Sequence, residues 1–292
     1  MSAAHEAPYL LLNEEQQMLS KTARQFIQEN APASRLRSFR DSKDPIGFSK
    51  ELWAEMAELG WLGLQIPEDY DGLGLGFFDL FVILEETGRE LMPEPFVSTL
   101  LLGTQALLLG GTEAQKGKLL PGIASGETIV SLAHEEAGAP GAPGRPRTRA
   151  KAAGDGFELT GEKIHVLDGH LADAIIVLAS TGDDESSLFV LDPSQPGVKI
   201  TRQTRIDGQN AAILRFEGLK LSSDDVVGKL GAGDALLQTV LDRASVGLAA
   251  QMLGAAEQAF ADTVEYIKER EQFGVPIGTF QALQHRAVAV YT

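Results

Sequence analysis

The chain has 292 residues, no cysteine, and a formal net charge of −16 from 25 Lys and Arg against 41 Asp and Glu. At about 150 residues per domain, this length predicts roughly two domains that bury a large core. The absence of cysteine excludes disulfides, thiolate catalysis and thiolate-bound zinc or iron–sulfur clusters. The acidic charge disfavours nucleic acid or an anionic membrane surface as a partner.

The sequence offers no signal for export or membrane insertion. Its first residues have neither the basic region nor the apolar region of a secretory signal. The longest aliphatic run, 174–179, is far shorter than the ~18 residues that a membrane span needs. We therefore expect a cytoplasmic protein that does not enter a membrane.

Apolar residues at helical spacing predict an N-terminal α-helical domain over residues 1–122. Asn13 is expected to cap the first helix, which Pro32 ends. A second helix is expected to begin near Ser49 and to stop at Gly60. Further helices are predicted at 79–86, 97–109 and 112–120.

The period changes at Thr128, and residues 123–230 are predicted to form a middle β domain. Short runs of β-forming residues alternate with turn signals, which favours a small barrel or sandwich over alternating strand and helix units. The predicted strands lie at 128–132, 157–160, 175–178, 188–191, 198–200 and 213–216. The low-complexity stretch 138–146 is interpreted as a mobile loop.

Residues 231–292 are predicted to form a C-terminal helical domain that is cut short. The pattern from Asp234 to Arg270 predicts one helix roughly 55 Å long at 1.5 Å per residue. A helix of this length needs partners along its whole length, yet only one further helix follows, near 280–291. The expectation is therefore either truncation or completion by another chain, within an α+β multidomain fold.

A glycine-rich segment and the histidine residues are only weak evidence of a phosphate-binding loop and of a metal site. The segment 72–76 is rich in glycine but follows no predicted strand, so a turn is favoured over a phosphate loop. His134 with its two following glutamates, and His165 with His170, match no metal-binding spacing, and no metal is expected.

The segment from Arg270 to Gln281 is more distinctive. A guanidinium, two amides and an aromatic ring on one turn suit a dinucleotide, with Arg270 on a pyrophosphate and Phe273 near a ring. The alternative is a helix–helix turn whose arginine complements the helix dipole. From the residues alone, the second interpretation is favoured.

Taken together, six segments resemble the acyl-CoA dehydrogenase family of flavoproteins. The resemblance covers residues 13–292, and the last of these segments is its most specific part. The segments are Leu59–Gly74, Leu84–Arg89, Ala133–Gly138, Gly161–Gly169, Phe216–Leu221 and Arg270–Gln281.

The resemblance implies that FAD is held between a β domain and two helical domains, in a homo- or hetero-oligomer whose subunits share flavin sites. It also implies α,β-dehydrogenation of an acyl-CoA substrate, with electron-transfer flavoprotein as the electron acceptor. A carboxylate would remove the α-proton while the β-hydride goes to the flavin. The acyl group itself is left open: fatty acid, dicarboxylate and steroid side chain are all compatible.

Site residues follow from the same resemblance. Asp242 corresponds to a substrate-binding residue of the family. FAD contacts are implied, across a subunit interface, for Arg270, Gln272, Phe273 and Gln281. On the β domain they are implied for Leu132, Ala133, Gly138, His165 and Leu167.

The sequence also departs from the family pattern. His165 stands where the family has a Trp that packs against the flavin. Leu167, Ala133 and Ala139 replace two Thr and one Ser, and Ser245 replaces a substrate-binding Arg. Each change removes a hydrogen bond or a ring contact.

No catalytic base can be assigned from the sequence. Most relatives have their catalytic Glu in the last helical domain, after the part to which this chain corresponds, and a minority place it where this chain has Ala244. Asp242 and Glu257 are candidates for the base by residue type alone.

These losses are similar to those of the small subunits of heteromeric, pimeloyl-type acyl-CoA dehydrogenases. The sequence thus leaves three hypotheses: a dehydrogenase, a non-catalytic partner subunit, and a truncated fragment.

Overall fold

The computed structural model describes residues 11–138 and 146–292. They form two compact units. One contains the described residues up to Ala33, together with Phe81–Met92 and Ala249–Thr292; the other contains Ser34–Leu80 and Pro93–Leu248. Most of the loop predicted at 138–146, and the substitution at Ala139, lie outside the described residues.

The predicted helices are present, with two differences. One helix was missed, and the helix predicted at 97–109 is a π-helical segment, Phe96–Gly103, followed by α5. The helices are α1 (Glu14–Asn30), α2 (Ser34–Ser42), α3 (Lys50–Glu58), α4 (Phe77–Arg89), α5 (Thr104–Gly110), α6 (Glu113–Ala124), α7 (Gly233–Glu269) and α8 (Gln281–Tyr291). Among the described helices, none combines the length and apolar character needed to cross a membrane.

Local signals set the helix ends. The Asn13 side chain accepts a hydrogen bond from the backbone N–H of Gln16, whose own side chain accepts from the Asn13 N–H. This capping box satisfies two donors at the start of α1, as the sequence predicts. The long helix is also confirmed, since α7 runs without a break for 37 residues.

The second unit contains an eight-stranded sheet. Its strands are β1 (Val130–Ala133), β2 (Arg149–Ala153), β3 (Gly156–Leu167), β4 (Ala174–Ser180), β5 (Ser186–Leu191), β6 (Val198–Gln203), β7 (Ala211–Ser222) and β8 (Val226–Val227). Hydrogen bonds follow the order β6-β7-β3-β2-β4-β5-β8, and β1 pairs with β4 in parallel.

The sheet confirms a β domain but not a closed barrel. Within the described residues, no pairing joins β6 to β8 at the two ends of the path. β2 and β4 are linked by one pair of residues, Arg149 and Ser180, whereas β3 and β7 pair along most of their length. The proposed domain boundaries at 122 and 230 stay predictions.

In the first unit, α4 makes a close backbone contact with α7 and an ion pair with α1. A Cβ on Gly254 of α7 would lie 1.8 Å from the Glu85 carbonyl oxygen of α4, so the two backbones meet directly. Buried Glu86 accepts hydrogen bonds from Arg24 of α1 at 2.8 and 2.9 Å.

Candidate flavin site

A cleft of about 510 Å³ opens in the second unit where β1 and β3 end. Three of its lining residues, Leu132, His165 and Leu167, are among those implied by sequence to face a flavin. The other lining residues are Leu102, His134, Glu135, Gln203, Thr204 and Arg205.

His165 enters the cleft from a β-bulge. The register between β3 and β7 shifts between Lys163 and Val166, and His165 has a left-handed backbone with φ of +52°. Non-glycine residues seldom adopt this conformation, which often marks a functional position. The His165 backbone N–H donates to the Gln203 side chain at 3.0 Å, and its ring Nδ1 lies 3.0 Å from the Glu135 carboxylate.

A buried ion pair supports the segment that carries Glu135. The Nζ of fully buried Lys163 donates to the Glu136 carboxylate at 2.7 Å and to the His134 carbonyl at 3.2 Å. Burial lowers the pKa of Lys163 despite this pairing. Burial alone would raise the pKa of Glu136, but Lys163 and the Thr148 and Arg147 N–H groups bring it below its usual value.

His134 contributes an unsatisfied polar atom to the same cleft. Its Nδ1 is buried and has no hydrogen-bond partner among the described residues. Burial lowers the pKa of His134, which favours the neutral ring. A buried nitrogen without a partner is costly, so a ligand that pairs with it would gain binding energy.

Below the cleft, Asp168 joins β3 to the π-helical segment. The Ser98 hydroxyl donates to its carboxylate at 2.6 Å, and the residue is almost fully buried. Burial raises the pKa of Asp168 to about 6, while hydrogen bonds from Ser98 and Asn210 and the charge of Arg202 oppose the increase.

The Arg270 segment lies in the first unit as an exposed hairpin, made of β9 (Glu271–Gln272) and β10 (Val275–Pro276). Phe273 and Gly274 at its turn both have positive φ, as a type I′ turn requires. Phe273 is 92% exposed and contacts Phe280 edge to face.

Arg270 is also exposed, and its guanidinium makes no hydrogen bond or ion pair with the described part of the chain. Gln281, which begins α8, is exposed as well, and the Gln272 amide donates to the Glu271 carbonyl.

Other predicted site residues lie outside both the cleft and the Arg270 hairpin. Ala133 is fully buried and does not line the cleft, and Gly138 lies beside the Arg147 guanidinium. Asp242 is exposed on α7 and accepts a hydrogen bond from Gln238 at 2.7 Å. Glu257, a candidate base, is paired with Arg89.

The sequence did not indicate Gln203 and Lys163 as parts of this site, and it indicated Glu135 only as a member of the segment 132–139 that is expected to face the flavin. Each lies far along the chain from at least one of its contacts. Glu135 is within the motif that resembles the family, which is the only signal that could have indicated it. Among the described residues, no group of three potential ligands could hold a metal ion.

Three family domains match the chain in order: the acyl-CoA dehydrogenase N-terminal domain over residues 13–127, the middle domain over 131–219 and the C-terminal domain over 231–292. The chain belongs to the acyl-CoA dehydrogenase family. It is an acyl-CoA dehydrogenase-like flavoprotein, and members of the family are FAD-dependent oxidoreductases that act on CH–CH groups.

Similar proteins agree with this assignment. An acyl-CoA dehydrogenase of Bacillus subtilis is 30% identical over 291 residues, which cover 96% of this chain and 76% of that protein. A structure described as the electron transferring flavoprotein of Acidaminococcus fermentans has a TM-score of 0.86 and 31% identity, covering 96% of this chain and 75% of that one. A steroid acyl-CoA dehydrogenase variant, Tcur3481–Tcur3483, has a TM-score of 0.84 and 36% identity, covering 95% and 73%.

The residues of the cleft fit a flavin. Leu132 and Leu167 offer apolar surface to a planar ring, whereas His134 and His165 offer nitrogen atoms to its polar edge. The exposed Arg270 suits the pyrophosphate, because guanidinium groups bind phosphate oxygens in pairs.

Proposed function

We propose that this chain binds FAD through two of its own surfaces and takes part in the α,β-dehydrogenation of an acyl-CoA thioester. The β-domain cleft would hold the flavin ring, and the Arg270 hairpin would serve the FAD of a neighbouring subunit. The observation that supports this most directly is the hairpin: its turn carries an exposed aromatic side chain, and the residue before its first strand is an exposed arginine without a partner among the described residues.

When bound, FAD supplies the acceptor for the hydride that leaves the β-carbon of the substrate. The chain's own contribution is to bind and to orient the flavin and the substrate. Leu132 and Leu167 exclude water from the ring, His134 and His165 supply hydrogen-bonding atoms, and Arg270 compensates phosphate charge. Asp242, exposed on α7 and hydrogen-bonded to Gln238, is the proposed substrate contact.

The test is the affinity of the chain for FAD after Arg270→Ala. Hydrogen bonds to charged groups contribute about 1.5–3 kcal/mol, so we expect the dissociation constant to rise about 10- to 100-fold. Arg286→Ala is the matched control, because Arg286 is an exposed arginine on α8 that also lacks a partner among the described residues. Equal FAD affinity in the two variants would refute the role of Arg270.

A second candidate is a partner subunit that lends flavin contacts to a catalytic homologue, as in the heteromeric pimeloyl-type enzymes. Two observations favour it. Ala244 and Ser245 provide no acid or guanidinium at positions that the family uses, and Glu257 is already paired with Arg89. The Tcur3481–Tcur3483 protein, whose description pairs two numbered components, is among the similar structures.

One measurement distinguishes the two candidate functions, dehydrogenase and partner subunit. Purified chain loaded with FAD is mixed anaerobically with acyl-CoA thioesters, and the visible flavin absorption is followed. Bleaching by the chain alone would refute the partner-subunit hypothesis. Bleaching that requires a second, homologous chain would support it.

Electron-transfer flavoprotein is the proposed electron acceptor, and the similarity to the Acidaminococcus structure supports this choice. Reoxidation of the reduced chain by purified electron-transfer flavoprotein, but not by NAD⁺, is the expected result. A cytoplasmic location stays a prediction from the sequence.

A further inference from the structure

We propose that His165 and Glu135 act as one hydrogen-bonding dyad that holds the polar edge of the ring system in the cleft. This inference rests on the proposed function, because it takes the flavin as the occupant of the cleft. It gives Glu135 a role in the site. It also means that residue 165 contributes a polar contact to the flavin, and not an aromatic stacking surface.

The backbone first fixes where the imidazole can be. His165 lies in the bulge of β3, its φ is +52°, and its N–H is bonded to Gln203. The neighbouring Ile164 N–H donates to the Glu135 carbonyl at 3.0 Å, which ties the bulge to the segment after β1. The two residues of the dyad are therefore held together by main-chain contacts as well as by their side chains.

The carboxylate then fixes the tautomer of the ring. An ionised Glu135 can only accept, so the 3.0 Å contact assigns a proton to Nδ1 of His165. The opposite nitrogen, Nε2, makes no hydrogen bond to the described residues. The ring is about half exposed, so Nε2 is available to a ligand.

Two other polar side chains of the cleft are partly engaged. Arg205 is bound to Asp207 by two hydrogen bonds at 2.6 and 3.2 Å, and the side-chain oxygen of Gln203 accepts from the His165 N–H. The Nδ1 of His134 is a second nitrogen that has no partner within residues 11–138 and 146–292. Next to the apolar Leu132 and Leu167, these nitrogens suit a planar heteroaromatic ring with donors and acceptors along one edge, as isoalloxazine has.

The experiment is a double-mutant cycle on FAD affinity, with His165→Phe, Glu135→Leu and the double variant. Loss of the hydrogen bond that Nε2 makes to the ring predicts a rise of about 10-fold in the dissociation constant for His165→Phe. His165→Gln keeps a polar side chain and should stay within about threefold of the wild type. Since neither substitute is glycine, each meets the same left-handed backbone that histidine does.

The dyad predicts that the effects of the Glu135 and His165 substitutions on FAD affinity are strongly coupled. Because Glu135 acts through His165, the double variant should bind FAD no more weakly than His165→Phe alone. The visible absorption bands of the bound flavin should shift in His165→Phe and stay in place in the control His285→Phe, whose histidine is exposed on α8. A general loss of packing would not produce a shift restricted to residue 165.

Two results would overturn the inference while leaving the proposed function intact. One is wild-type FAD affinity in His165→Phe together with weakened binding in Arg270→Ala. The other is multiplication of the two single effects in the double variant. Absence of FAD binding by the wild-type chain would instead refute the proposed function, and this inference with it.

Discussion

Asp168 makes the stability of this protein depend on pH in a direction that can be calculated. Burial raises the pKa of its carboxyl from 3.8 to about 6. The folded chain therefore retains a proton that the unfolded chain releases, and the stability present below about pH 4 is lost as the pH rises through 6. Two pKa units correspond to about 3 kcal/mol.

Replacing the acid by its amide, Asp168→Asn, removes this titration. We expect the difference in unfolding free energy between variant and wild type to change by about 2–3 kcal/mol from pH 4 to pH 8, in favour of the variant at high pH. Urea denaturation at several pH values measures it. Any pH-independent cost of placing an amide beside Ser98 adds equally at every pH and does not affect the slope.

Ser98→Ala provides the control in the opposite direction. The Ser98 hydroxyl donates to the Asp168 carboxylate, so its loss should make the ionised form less favourable and steepen the pH dependence. A free-energy difference between Asp168→Asn and wild type that is constant from pH 4 to pH 8 would refute the reasoning.

Two further predictions concern packing and buried charge. Gly254→Ala should cost about 3 kcal/mol or more, because the new Cβ would meet the Glu85 carbonyl oxygen at 1.8 Å. Gly117→Ala, at an exposed position of α6 where an added Cβ meets no atom within 4 Å, should instead stabilise by about 0.5–1 kcal/mol; equal thermal shifts in both would contradict the geometry. Lys163→Met should destabilise by about 3 kcal/mol, because it leaves the partly buried Glu136 carboxylate without its cation. Adding Glu136→Gln should recover part of that loss in chemical denaturation, and no recovery would argue against the ion pair as the cause.

Two of the elements that the sequence missed, α2 and β2, have no hydrophobic pattern. α2 buries none of its residues, so no apolar periodicity marked it. β2 reads Arg-Ala-Lys-Ala-Ala and buries only Ala150, and it is a strand because β3 pairs along its whole length. Its neighbours, not its own composition, determine its conformation.

Part of the candidate cleft could be expected from the resemblance. The structure brings Leu132, His165 and Leu167 together, whereas Ala133 is buried and does not line this cleft. Glu257 was a candidate base by residue type alone, and its pairing with Arg89 depends on where α4 meets α7 within the first unit. No local pattern could have indicated that contact, which joins residues 168 positions apart.

The sequence by itself determined what depends on near neighbours and on recognisable motifs: the capped start of α1, the long helix α7, the β character of the middle segment, and the family. Only the tertiary structure decided the bulge at His165, its contact with Glu135, the burial of Asp168 and the order of the strands. The physical reason is one of range. Capping and periodicity act over three or four residues, whereas strand register, burial and ion pairing are fixed by segments that meet across tens of residues.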